Sequence, residues 1–196
     1  MSLRADDADT VPIRVDWLEP NTLREGLPGR LGLTILPGKH GASLRYPGRV
    51  YEREIEQDLA ALAAAGVRLL LLLVEDAELE RWGDPRIVER AAAQGIDVDR
   101  RPMPDGGPPA SVSEAESILA AVARGRKHGD VAVACMGGVG RTGTVAACAL
   151  IASGWDADEA VAEVRRTRHP TAVETDAQVA FVHAFASEVA RRSGIR

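Results

Sequence analysis

Cys135 and Arg141 bracket five residues, Met136, Gly137, Gly138, Val139 and Gly140, three of which carry no Cβ. Such a run lets successive backbone N–H groups turn inward around one anion. The segment that follows, Thr142 to Ser153, is almost wholly apolar and reads as a buried helix. Its unpaired N-terminal N–H groups and positive dipole end would aim at the same point. A thiol placed there is pushed toward thiolate, since cysteines at helix N-termini or beside cations have pKa values of roughly 3.5–7.5. Cys135 is therefore a candidate nucleophile. Arg141 offers a planar fork that binds two phosphate oxygens at once, which a lysine ammonium does less well. Thr142 can donate its hydroxyl to the sulfur and ease its departure in a second step.

Cleaving a phosphate ester also needs a proton on the leaving oxygen, from an acid on a separate loop. Asp105 is the candidate. It lies in Arg101-Pro-Met-Pro-Asp-Gly-Gly-Pro-Pro109, where prolines stiffen the approach and Gly106-Gly107 offer a hinge. The same Asp-Gly pair is also a common turn dipeptide.

The elements that must position these groups alternate in type. Val131 to Ala134 is the strand feeding the loop, and Val67 to Val74 has no polar alternation, as in the centre of a parallel sheet covered on both faces. Val11 to Trp17 and Leu31 to Ile35 alternate as a hairpin at a sheet edge, and Ile96 to Arg100 alternates as another strand. Helices are predicted over Tyr51 to Ala65, closed by Gly66, and over Pro85 to Gln94, closed by Gly95. Glu75 to Glu80 begins a short helix or loop. Further helices run from Ser111 to about His128, from Asp156 to near His169 and from Glu174 to Arg192. This order predicts an α/β domain, a central mostly parallel twisted sheet of about five strands flanked by helices, with the functional crevice at the strands' carboxyl ends. Residues 1–10 are acidic and small and read as a disordered leader, leaving 11–196 as one domain.

Lys and Arg number 24 against 29 Asp and Glu, a net charge of −5, which argues against nucleic acid or an acidic membrane as the main partner. Arg100-Arg101, beside the Asp105 loop, is the basic cluster kept open for a role; the others read as solvated faces. Two cysteines make neither a disulfide framework nor a zinc site, which points to a reducing, cytoplasmic compartment. The longest apolar run, Leu69 to Val74, is too short to span a bilayer. Cys148 reads as a small core residue. His128, His169 and His183 lack metal-ligand spacing, so no metal or other cofactor is expected. Lys39 and His40 share the Pro37 to Gly41 loop; either could serve a pocket, or simply a solvated turn. Nothing demands more than a monomer.

Cys135-Met-Gly-Gly-Val-Gly-Arg141-Thr142 resembles the signature of the cysteine-dependent protein tyrosine and dual-specificity phosphatases: Cys, five residues, Arg, then Ser or Thr. Pro104-Asp105-Gly106-Gly107 is similar to their general-acid loop, and to that of the kinase-associated phosphatase subfamily in particular. Leu31 to Gly38, Asp58 to Leu62 with Gly66-Val67, and Ala172 to Gln178 fall in the same order as that subfamily's landmarks. The resemblance spans residues 30 to 190. It implies a metal-free phosphatase acting through a phosphocysteine, with Cys135 as nucleophile, Met136 to Arg141 as phosphate loop, Asp105 as acid and Thr142 assisting the sulfur. Gln178 matches the glutamine that positions the attacking water in many such enzymes. One departure is Ala134, where the family usually has His; a brace of the loop is missing, and a less depressed thiol is expected. Without a lysine inside the loop, phosphorylated peptides or proteins are favoured over polyphosphorylated inositols. Two readings compete: a non-catalytic phosphoprotein-binding module with an inert thiol, and a sulfur-transfer or arsenate-handling cysteine enzyme.

Overall fold

The computed structural model describes residues 12–19, 21–23, 26–43 and 47–194, so the leader expected at 1–10 lies outside the described residues. Five strands form one sheet: β1 (Asp16–Trp17), β2 (Leu31–Ile35), β5 (Val67–Leu72), β6 (Asp97–Arg100) and β7 (Asp130–Cys135), in the order β1-β2-β7-β5-β6. Only β1 runs antiparallel; β2, β7, β5 and β6 are parallel. The expected mixed α/β layering with a mostly parallel sheet is thus observed. The middle strand is β7. The apolar run expected at the sheet centre lies beside it as β5.

Register sets the position of the chemistry. Ile35 pairs with Cys135 and Leu72 with Ala134, so β2, β5 and β7 end at one edge, where the loops following them converge. Every residue of β2, and all of β7 after Asp130, are buried, so the alternation read in Leu31 to Ile35 marks no solvent face, and β2 lies inside the sheet between β1 and β7.

Helices flank this sheet. α1 (Ile55–Ala64) packs with α3 (Ile87–Ala93) beside β5 and β6, while α4 (Val112–Arg126), α6 (Ala157–Thr167) and α7 (Asp176–Ser193) gather around α5 (Gly140–Ala152). A short helix, α2 (Asp76–Trp82), follows β5. In α5 all residues but the last are buried, as its apolar sequence requires. Ser111 and Asp156 cap α4 and α6 with their side chains, and Gly66 and Gly95 close α1 and α3 at positive φ.

The start of α1 departs from expectation. Residues 50–52 form a strand, β4 (Val50–Glu52), paired with β3 (His40–Ala42) in a two-stranded ribbon. Tyr51 is buried there, with Lys39 Nζ 3.6 Å above its ring. A buried ion pair then seats the ribbon on α1. Asp58 accepts from Arg53 Nε at 2.8 Å, Arg53 Nη2 at 2.7 Å and the Gly38 N–H at 2.9 Å. Aromatic burial and the Arg53 anchor keep residues 50–53 out of the helix, so the periodicity of Ile55, Leu59 and Leu62 is realised only from Ile55 onward.

Candidate active site

Strand β7 ends at Cys135, and α5 opens only five residues later at Gly140, so the intervening chain must wrap tightly. Gly138 has φ +66°, and a Cβ there would lie 2.3 Å from the Thr34 carbonyl oxygen. Only glycine fits both demands. Behind the loop stands Arg168, nearly buried at the end of α6. Its Nε donates to Gly138 O at 3.0 Å and its Nη2 to Gly137 O at 3.2 Å, while Nη1 pairs with Asp16 of β1 at 2.7 Å. In a planar trans peptide the carbonyl and the next N–H point opposite ways. Carbonyls of Gly137 and Gly138 drawn outward therefore turn the N–H groups of Gly138 and Val139 inward. Ala134, fully buried on β7, contributes no brace, and Arg168 with Asp16 supplies one.

Cys135 is 3% exposed at the bottom of this loop. Burial alone drives its thiol upward and is the largest influence. The Arg141 charge, the Thr142 hydroxyl and the N–H groups of Thr142 and Gly137 together outweigh it, so the thiol lies below its ordinary value. Cys148, buried with no such partners, is pushed up to about 12. Thr142 Oγ1 helps lower the Cys135 thiol without reaching full hydrogen-bond geometry, and it has no other partner.

Arg141 is held from behind. Glu78 of α2 accepts from its Nη1 and Nη2 at 2.6 Å each, and Nη1 also donates to Met103 O at 2.9 Å. Burial pulls this guanidinium down most, but Glu78 and the charges of Cys135 and Asp105 raise it further above its usual range. Glu78 is the residue that sequence reasoning missed. It also accepts from the Glu75 N–H at 2.8 Å, the capping box of α2, and that Glu-x-x-Glu spacing was its one visible signal. Arg168 and Asp16 were missed too.

Asp105 reaches the site. Its Oδ1 accepts from Arg141 Nη2 at 3.0 Å, with the carboxyl side chain 76% exposed. It sits in a turn closed by Gly107 N–H to Pro104 O at 2.9 Å, with Gly106 at φ +70°. The Asp-Gly pair thus forms a turn, as its composition suggests, and the turn also brings the carboxylate beside Arg141. Gln178 is fully buried, its Oε1 accepting from Glu174 N at 2.9 Å and Thr175 N at 3.4 Å, its Nε2 donating to Gly107 O at 3.1 Å. A Cβ on Gly140 would come within 3.1 Å of that amide and 2.4 Å of Glu174 Oε2. The head of α7 therefore packs directly on the glycine loop.

The remaining candidates are committed elsewhere. Arg101 pairs with Asp99 at 2.8 Å, and Arg100 binds Asp76 and donates to Val74 O at 3.0 Å. Lys39 is nearly buried against Tyr51, and His40 stays at the surface. Among the described residues no group of His, Cys, Asp or Glu could hold a metal ion, and no helix is long and apolar enough to cross a membrane.

A lowered thiol at the base of a glycine loop, an arginine fixed above it and an aspartate at the rim define the class of cysteine-dependent phosphatases. Residues 49–192 match the family model described as PTP-SAK, Swiss Army Knife protein, DSP-PTPase phosphatase domain, and the chain belongs to that family. It is 29% identical over 189 residues to the rat protein named cyclin-dependent kinase inhibitor 3, covering 95% of this chain and 84% of the relative. The human protein of that name is 26% identical, covering 93% and 82%. The fold matches kinase associated phosphatase carrying a serine in place of its catalytic-site cysteine, at TM-score 0.79, 23% identity, and 92% and 98% coverage. Tk-PTP in its active form matches at TM-score 0.66 and 29% identity, covering 91% and 97%. The chain is a phosphatase of the dual-specificity and tyrosine type.

Proposed function

We propose that this phosphatase acts on phosphorylated proteins, at phosphotyrosine or phosphoserine and phosphothreonine, through a phosphocysteine intermediate. In the first step the Cys135 thiolate attacks phosphorus in line, an S–P bond forms and the ester P–O bond breaks. Asp105 gives its proton to the departing oxygen. The inward N–H groups of Met136 to Gly140 and the Arg141 guanidinium hold the three equatorial oxygens. In the second step Asp105, now a carboxylate, takes a proton from water, whose oxygen attacks phosphorus. The S–P bond breaks, and Thr142 eases release of the sulfur. Gln178, beside Gly140 with one amide hydrogen uncommitted to the partners above, suits the placing of that water.

The Asp105–Arg141 contact fits this cycle. A phosphate dianion competes for the same Nη2 donor, freeing Asp105 to carry a proton. Residues 11–196 act as one catalytic domain, since β1 and β2 lie in the sheet that carries Cys135. Two free, buried cysteines suit a reducing cytoplasm. Protein substrates fit a loop without lysine, and the names of the kinase-inhibitor relatives accord with a phosphoprotein partner.

The observation that carries the reading is the placement of the nearly buried Cys135 sulfur at the base of the glycine loop, with the Arg141 charge and the N–H groups of Gly137 and Thr142 turned to it. Turnover of para-nitrophenyl phosphate by wild type and Cys135→Ser, and of phenyl phosphate by wild type and Asp105→Asn, tests it. Wild-type turnover, lost in the serine variant while phosphate still binds, is expected. A wild type that binds phosphate without turnover makes the chain a binding module instead.

A further inference from the structure

The acid turn has few ways to hold itself in place. Four of the residues between 102 and 109 are proline, Pro102, Pro104, Pro108 and Pro109, and offer no N–H to any neighbour. Upstream, Met103 N–H is fixed to Leu73 O at 3.0 Å. Asp105 itself is mostly exposed, and the exposed tip of a turn needs donors from outside. Arg141 supplies donors to Met103 O and to the Asp105 carboxylate, and the carbonyls after Asp105 take two more, both from the head of α7. Gln178 Nε2 reaches Gly107 O, and Thr175 Oγ1 donates to Gly106 O at 2.8 Å.

Thr175 is also the N-cap of α7, accepting from Gln178 N at 3.2 Å. Its single hydroxyl thus uses a lone pair for the helix and its proton for the turn. The Gly106 carbonyl belongs to the peptide that follows Asp105 by one residue, so the bond acts close to the carboxyl it positions. The helix head in turn packs on Gly140 of the phosphate loop. One rigid element therefore sets the distance between acid and nucleophile.

The geometry points to Thr175 as the positioning residue of the acid, resting on the two-step phosphatase reading above. It touches neither phosphate nor sulfur; it acts through Gly106 on Asp105. Gly106 is only half-buried, so loss of the donor lets water reach the turn, which shifts while the fold survives. A misplacement of 1 Å costs on the order of 10²-fold in rate. That loss falls only on reactions that need the proton. Nitrophenolate leaves unprotonated, whereas a serine alkoxide or plain phenolate does not.

The test measures kcat/KM, which reports the steps through phosphocysteine formation, for para-nitrophenyl phosphate, phenyl phosphate and a phosphoserine peptide. Wild type, Thr175→Val and Thr175→Ser are compared, with melting temperatures recorded. Thr175→Val is expected to lose roughly tenfold to 10²-fold on phenyl phosphate and on the peptide but under about twofold on the nitrophenyl ester, with Thr175→Ser near wild type. Should Thr175→Val not fold, Thr175→Asp keeps an acceptor for the helix cap, lacks the proton, and is expected to show the same selective loss. Equal losses across the three esters, or no loss at all, overturn the assignment while wild-type turnover leaves the phosphatase reading standing. A wild type inactive on all three sinks that reading and this one with it.

Discussion

Glu78 grips Arg141 through both carboxylate oxygens at 2.6 Å, so the guanidinium that faces Cys135 is locked in place before any phosphate arrives. Pre-formed donors cost no reorganisation during reaction, which is where such a pair helps catalysis most. Its two members sit on α2 and at the head of α5, far apart in sequence. The pair is nearly buried, with side-chain exposures of 1% and 9%.

Removing one partner of a buried pair costs about 3–5 kcal/mol of stability, so Glu78→Ala should unfold well below wild type in urea. Glu78→Gln keeps one hydrogen bond to Arg141 and should fold, yet lose roughly 10²-fold in kcat/KM as the fork drifts. Urea melts and steady-state rates on para-nitrophenyl phosphate check both. Full activity in the glutamine variant would show that Arg141 needs no external lock.

Arg168 should matter to binding more than to chemistry. With its Nε and Nη2 gone, the Gly137 and Gly138 carbonyls lose their outward pull, and two inward N–H donors lose their aim. Arg168→Met should weaken competitive inhibition by inorganic phosphate by about tenfold, the equivalent of one or two modest hydrogen bonds. Arg168→Lys, which keeps the charge but cannot bridge two carbonyls, should fall between. An unchanged inhibition constant would mean that the loop holds its shape alone.

The pH profile follows from two protons moving in opposite senses. Because the Cys135 thiol lies below its ordinary value of about 8.5, the thiolate fraction, and activity with it, rises with pH well before that point. A general acid serves only while it holds its proton, so its loss ends activity on the alkaline side. kcat/KM should be bell-shaped, and Asp105→Asn should keep the acid limb while losing the alkaline one. An alkaline limb that survives in the asparagine variant would remove Asp105 from the acid role.

The glycine loop between β7 and α5 was legible in the sequence because Cys135, its glycines and Arg141 are contiguous, and the strand before and helix after are apolar enough to declare themselves. Asp105 was legible only as a carboxylate in a breaker-rich loop. Glu78, Arg168 and Asp16 were not. Glu78 and Arg168 are each one charged residue among similar neighbours, Glu75 and Glu80 or Arg165 and Arg166, and only tertiary packing separates the buried one from the solvated ones; Asp16 is a half-buried carboxylate that only its pairing with Arg168 marks out. The ribbon at Tyr51 was missed for a related reason, since its partner strand contributes just three residues and the stacking of Lys39 on the ring leaves no periodic trace.

The central claim, an ionised sulfur enclosed by donors, is tested most directly by iodoacetate alkylation of the folded protein across pH, read separately at the two cysteines by mass spectrometry. Cys135 should react readily near pH 6, be protected by inorganic phosphate, and outpace Cys148, whose thiol burial pushes up to about 12. A Cys135 rate no faster than that of Cys148 at pH 6, climbing tenfold per pH unit toward 8.5, would contradict it.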